Sequence, residues 1–171
     1  GSIRTYAHIA EKKFTYDGWI NAIRHGRTFV TTGPMISLTA NDQDIGSILK
    51  LNPGEIVHLE ATVKSPYGRY PMEKFEIVQN GEVIATQINK SRTDTMLITA
   101  NITVKEGAWF VARAYGPKIL PYNTWPAAGA WAAGSPVMAH TSPIYVEVPG
   151  TTVWSNDDAI FLAGRCDVVI S

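Results

Sequence analysis

Phe75-Glu76-Ile77-Val78-Gln79-Asn80-Gly81-Glu82-Val83-Ile84-Ala85-Thr86 is the stretch that decides the fold class of this 171-residue chain. Two short runs of strand-forming residues flank Asn80-Gly81. Asn-Gly is the strongest short-range hairpin signal, because both central residues of a type I′ turn take positive φ. The segment therefore reads as an antiparallel β-hairpin. The same period of two continues on either side of it. Val57, Leu59, Ala61 and Val63 alternate with His58, Glu60, Thr62 and Lys64, the pattern of a strand with one wet face. Met96, Ile98, Ala100, Ile102 and Val104 alternate with Leu97, Thr99, Asn101 and Thr103. Trp109, Val111, Arg113 and Tyr115 lie opposite Phe110, Ala112 and Ala114, and Ile144, Val146 and Val148 close the series. Seven or eight short strands separated by turn chemistry predict a mainly β fold, an antiparallel immunoglobulin-like β-sandwich.

Helical spacing occurs only near the two ends. Tyr16, Trp19, Ile20 and Ile23 predict a helix over 16–25, capped by Thr15 and ended by Gly26 in the left-handed region. Its apolar face is expected to dock on the edge or end of a sheet. Ala159, Leu162, Ala163, Cys166, Val169 and Ile170 predict a second helix over 157–170, with Asp157 and Asp158 at its positive end. The chain thus divides into an N-terminal segment with a helix (1–27), a β-sandwich (28–154) and a C-terminal helix (155–171). Residues 116–136 interrupt the strand pattern with a Pro-, Gly- and Ala-rich stretch. Loops of that length in compact domains are usually functional or disordered.

Composition narrows the function. Fifteen basic and fifteen acidic residues give a formal charge of zero. No basic stripe favours nucleic acid. No apolar run approaches the ~18 residues of a membrane-spanning helix. The single Cys166 excludes an internal disulfide. The chain opens on Gly1-Ser2 without a methionine or a signal peptide, so it is expected to be a piece of a longer protein.

Several segments, taken in their order and spacing, resemble the C-terminal region of the CehA/McbA-type hydrolases. They are the opening helix followed by Gly26-Arg27-Thr28-Phe29-Val30-Thr31-Thr32-Gly33-Pro34, and the acidic loop Asn41-Asp42-Gln43-Asp44-Ile45-Gly46. The strand entering Asn80-Gly81 follows, then Trp109-Phe110-Val111-Ala112-Arg113, Ala139-His140-Thr141-Ser142-Pro143-Ile144-Tyr145-Val146 and the terminal helix. The insertion between Arg113 and His140 is longer than the family pattern. The resemblance implies a non-catalytic accessory domain of a bacterial metallohydrolase of the polymerase-and-histidinol-phosphatase (PHP) type. It also implies a partner, the catalytic domain of the same chain, lying before residue 1 together with any signal peptide. The family's divalent metal is held there by His, Asp and Glu residues, and none of those positions maps onto this sequence.

No catalytic or metal-ligating constellation is expected within the 171 residues. His8, His25, His58 and His140 lack close ligand spacing. Ser142 and Ser135 stand outside any nucleophile motif. Asp42 and Asp44 suit a polar turn better than a calcium loop. His58 belongs to a wet strand face, and His25 suits the negative end of the first helix. His140 and Arg113 are the candidate interdomain or ligand contacts. The plainer reading of His140 is a ring bonded to loop backbone, and that of Arg113 a strand residue paired with a carboxylate such as Glu147. Tyr122, Trp125 and Trp131 join the candidates, because loop aromatics either cover a partner, fold back on their own core or stack on sugars. An autonomous carbohydrate- or protein-binding module is the alternative function.

Overall fold

The computed structural model describes residues 3–9, 14–116, 137–154 and 159–164. The tryptophans at 125 and 131, Tyr122, Ser135 and Cys166 fall outside them. Twelve strands and one long helix follow in order. They are β1 (Arg4–Ala7), α1 (Tyr16–Arg24), β2 (Thr28–Thr31), β3 (Met35–Ala40), β4 (Gln43–Asp44), β5 (Ile48–Lys50), β6 (Ile56–Lys64), β7 (Lys74–Gln79), β8 (Glu82–Ile88), β9 (Thr95–Thr103), β10 (Ala108–Tyr115), β11 (Met138–Thr141) and β12 (Ile144–Glu147). Residues 159–164, within the predicted C-terminal helix, are helical, and Ile160, Phe161 and Leu162 lie exposed on them. No helix among the described residues is long and apolar enough to cross a membrane.

The strands form two sheets that enclose one core. The smaller has the order β4-β3-β6-β9. The larger has eight strands. β10 bonds β7 along one side; on the other it bonds β12 with its first half and β11 with its second. β11 continues to β2 and β1, β12 to β5, and β7 to β8. All pairs are antiparallel except β12 with β5. That parallel pair corrects the expectation of a wholly antiparallel fold. It arises because the chain, on leaving β4, crosses from the small sheet to the large one and enters alongside β12. Residues 4–7 also join the large sheet: β1 pairs with β2, and the Tyr6 ring stacks on Phe29 at 5.2 Å.

The period-two readings hold. Val57, Leu59, Ala61 and Val63 are buried while His58, Glu60 and Lys64 are exposed. Met96 and Ile98 face the core, as do Phe110, Ala112 and Ala114 from the other sheet. Asn80 (φ 48°) and Gly81 (φ 90°) make the positive-φ turn that Asn-Gly predicts. Asn41 (φ 47°) and Asp42 (φ 62°) make a similar turn between β3 and β4, so the acidic loop is a hairpin.

Helix α1 ends where expected but faces the other way. Thr15 Oγ1 accepts the Gly18 amide hydrogen at 3.0 Å, closing the N-terminus. Gly26 (φ 65°) follows the C-cap, and its amide bonds Ile23 O. The helix buries Gly18 and Ala22, its small residues. Tyr16, Trp19 and Ile23 remain 68%, 39% and 43% exposed. The expected docking of the large apolar face on the sheet is therefore overturned. Glycine and alanine allow the helix backbone to come close; Ile20 of the predicted stripe is half-buried, and the larger Tyr16, Trp19 and Ile23 lie round the helix from the buried pair.

One close approach sets where α1 ends. Gly46 (φ 79°) donates its amide hydrogen to Pro143 O at 2.9 Å, and a Cβ there would collide with the backbone carbonyl oxygen of His25. Gly46→Ala adds a left-handed cost of about 1–2 kcal/mol to a clash with backbone that has no rotamer to yield. The expected outcome is a loss of more than about 2 kcal/mol in urea unfolding. Gly54→Ala, whose Cβ meets open space, loses only the strain of its positive φ.

Candidate functional site

The two described candidates, Arg113 and His140, are direct cross-strand neighbours. The registers β1–β2, β2–β11, β11–β10, β10–β7 and β7–β8 place Thr5, Val30, His140, Arg113, Glu76 and Thr86 in one row across six strands. Alternation puts this row on the face of the large sheet turned away from the core. Phe75, Ile77, Ala112, Ala114 and Ala139 point the other way.

Glu76 is the centre of the row. It is 1% exposed, the only buried charged side chain among the described residues. Arg113 Nε donates to Glu76 Oε2 at 2.8 Å. The Lys74 ammonium meets Oε1 as an ion pair. The Arg113 guanidinium also lies over the Tyr115 ring, 5.5 Å from its centroid. Burial pushes the Glu76 carboxyl pKa upward. The hydrogen bonds and charges of Lys74 and Arg113 outweigh it and hold the pKa below the usual glutamate value. A carboxylate kept ionised in this way is a structural anion and a poor proton donor.

His140 Nδ1 donates to Thr141 O at 2.7 Å, which matches the plainer reading of that residue. Thr141 is buried, and its hydroxyl accepts the Ala112 amide hydrogen at 3.0 Å. The suggested Arg113–Glu147 pair does not form. β12 faces only the first half of β10, so Glu147 falls beyond Ala108 in the register, more than five residues along β10 from Arg113. The partner is Glu76, which sequence reading passed over. The one local signal is a glutamate inside the otherwise apolar run Phe-Glu-Ile-Val, and its arginine partner lies on β10, 37 residues further along the chain.

The remaining polar candidates have local partners. His25 Nδ1 donates to Asn21 O at 2.8 Å in the last turn of α1. His58 Nδ1 and Asn101 Oδ1 are 2.6 Å apart on the wet face of the small sheet. His8 pairs with Asp44, tying the end of β1 to β4. Ser142 Oγ shares a hydrogen bond with Thr28 Oγ1 at 2.8 Å. No group of three His, Cys, Asp or Glu residues that could hold a metal ion is found among the described residues. One surface depression lies between Asn80, Trp109 and Trp154, and another over His58 and Asn101. Neither coincides with the Glu76 row.

Comparison with family models, with curated proteins and with solved structures found no significant match.

The depressed Glu76 pKa carries a sign. Its contribution to stability is fully present above the unfolded value of about 4.3 and is lost as pH falls through the lower folded value. Arg113→Met removes the hydrogen-bonded cation and leaves a buried carboxylate facing Lys74 alone. The expected result is a rise in the Glu76 pKa, read by NMR titration of its carboxyl. A stability loss on the order of 3 kcal/mol at neutral pH accompanies it. Lys74→Met costs less, because Lys74 is 46% exposed and its interaction is screened by solvent.

Proposed function

We propose that this chain is a non-catalytic accessory domain of immunoglobulin-like type in a bacterial PHP-type metallohydrolase, where it stabilises or shapes the catalytic domain. The observation that carries the reading is the outward face of α1. Tyr16, Trp19 and Ile23 form one stripe, with Phe14 (70% exposed) just before it, while the same helix contacts β1 and buries only Gly18 and Ala22. An apolar stripe of this kind on a well-capped helix is the usual mark of a surface that another body covers. The resemblance of the segments around residues 26–34, 75–83 and 139–146 to the CehA/McbA-type region names that body as the metal-dependent domain. The divalent metal belongs to that domain. Arg113 and His140 stay in the proposal as neighbours of the border, and Glu76 fixes where they stand.

The test compares the 171-residue chain with a protein that carries the metallohydrolase domain as well. Phe14→Glu with Tyr16→Glu leaves the melting of the 171-residue chain within about 0.5 kcal/mol, since both side chains are about 70% exposed. In the larger protein the same pair is expected to uncouple the melting of the two domains and to release amide protection along α1. Equal α1 exchange rates in both proteins, with no effect of the double substitution, overturn the reading.

A further inference from the structure

The free edges of the two sheets are guarded unequally. Proteins protect edge strands by keeping them short, by charging them, or by bulges and proline. β1 carries Arg4, β4 is two residues long and contains Asp44, and β5 is three residues long and contains Lys50. β8 carries Glu82, and its pairing with β7 is broken by an irregularity at Ile77/Val78. β9 has none of these devices. Thr95-Met96-Leu97-Ile98-Thr99-Ala100-Asn101-Ile102-Thr103 runs nine residues without a charge or a proline, in unbroken register with β6. Among the described residues β6 is its only strand partner. Its inner side is closed at one end, where Met96 and Ile98 are buried. Towards the other end Ala100 and Ile102 are only half-buried, and on the outer side Leu97 is 52% exposed.

We propose that β9 is an assembly edge, which pairs antiparallel with β9 of a second copy of this chain about a two-fold axis at Thr99. This register uses all nine residues. Thr95 meets Thr103, Met96 meets Ile102, Leu97 meets Asn101, and Ile98 meets Ala100. Core-facing residues meet core-facing residues, so the two small sheets join into one of eight strands with their apolar faces in phase. No charge opposes another anywhere along the seam. Ala100 and Ile102 gain the cover that a single chain gives only in part. A second copy suits the edge better than an unrelated strand because the pairing is isologous and uses up the edge on both sides at once. It also terminates. At the far edge of the joined sheet β4 pairs only Thr39 and Ala40, and the uncovered part of β3 is four residues, 35–38, directly after Pro34, too short to repeat a nine-residue seam. The pairing is independent of the accessory role proposed above.

Sedimentation equilibrium of the 171-residue chain, from about 1 to about 500 μM, reads the association directly. The expected result is a reversible shift from one chain to two. Thr99→Lys sets two ammonium groups opposite each other at the axis and weakens the dimer at least about tenfold. Thr99 is exposed in the single chain, so the fold tolerates the change. Leu97→Lys combined with Asn101→Glu sets each lysine against a glutamate of the other copy, and restores association relative to Leu97→Lys alone. A chain that stays single throughout, species larger than two, a Thr99→Lys dimer of unchanged strength, or a double variant no better than the single one overturns the proposal. Amide exchange along β9 in the unsubstituted protein gives a reading that needs no variant. Exchange that slows as concentration rises supports the pairing, and exchange independent of concentration overturns it.

Discussion

Strand β10 has to satisfy three neighbours at once, and the large sheet is built around that requirement. Six consecutive residues bond β7 on one side. On the other side Ala108, Trp109 and Phe110 serve β12, and Arg113, Ala114 and Tyr115 serve β11. The branch splits the sheet into an arm through β11, β2 and β1 and an arm through β12 and β5. Its inner residues are Ala108, Phe110, Ala112 and Ala114, all buried. Small side chains on three of these four positions let the facing β3 approach, and its Leu38 is fully buried, as is Leu59 of β6 in the same core. Truncating either leucine opens a cavity and costs about 2–5 kcal/mol.

The same registers decide the fate of the charges. Slipping β7 by one residue against β10 would send Glu76 inward among Leu59 and Phe110 and bring Phe75 out. The buried Glu76–Arg113 bond therefore marks one register as correct. Its net contribution to stability is a separate matter, because desolvating the carboxylate offsets much of the attraction. Burial alone would raise the Glu76 pKa, and the contacts and charges of Lys74 and Arg113 outweigh it.

What the sequence shows and what it hides follow from distance along the chain. The Asn80-Gly81 turn, the Thr15 cap and the alternation of β6 and β9 are local, and each reads correctly from a few neighbouring residues. β3 is legible in the same way, since Ile36, Leu38 and Ala40 alternate with Met35, Ser37 and Thr39, although six residues give the period only three repeats. Strands of two or three residues such as β4 and β5 are too short for any period to show. The row of Glu76, Arg113 and His140 depends on pairing registers between segments 37 and 27 residues apart, which no local pattern encodes. The direction of α1 was hidden for a different reason. A stripe of large apolar residues has the same 3.6-residue period whether it faces the sheet or points outward. Gly18 and Ala22 were the clue, because small residues on a helix face let its backbone come close to what it packs on.

The surface then shows two kinds of unspent interaction, with different physical origins. On α1 it is area: Tyr16, Trp19 and Ile23 hold apolar surface in water, where covering it would gain about 25 cal/mol per Å². On β9 it is direction: a row of backbone groups that only another strand can match along its length. The two do not compete for one partner. In the large sheet β1, which α1 contacts, and β8 lie at opposite ends of the strand order, and β9 packs on the β8 side. A body covering α1 therefore leaves β9 open, and a second copy paired at β9 leaves α1 open. The exposed stripe of α1 and the unpaired edge of β9 thus lie on different flanks of the fold, and covering one does not obstruct the other.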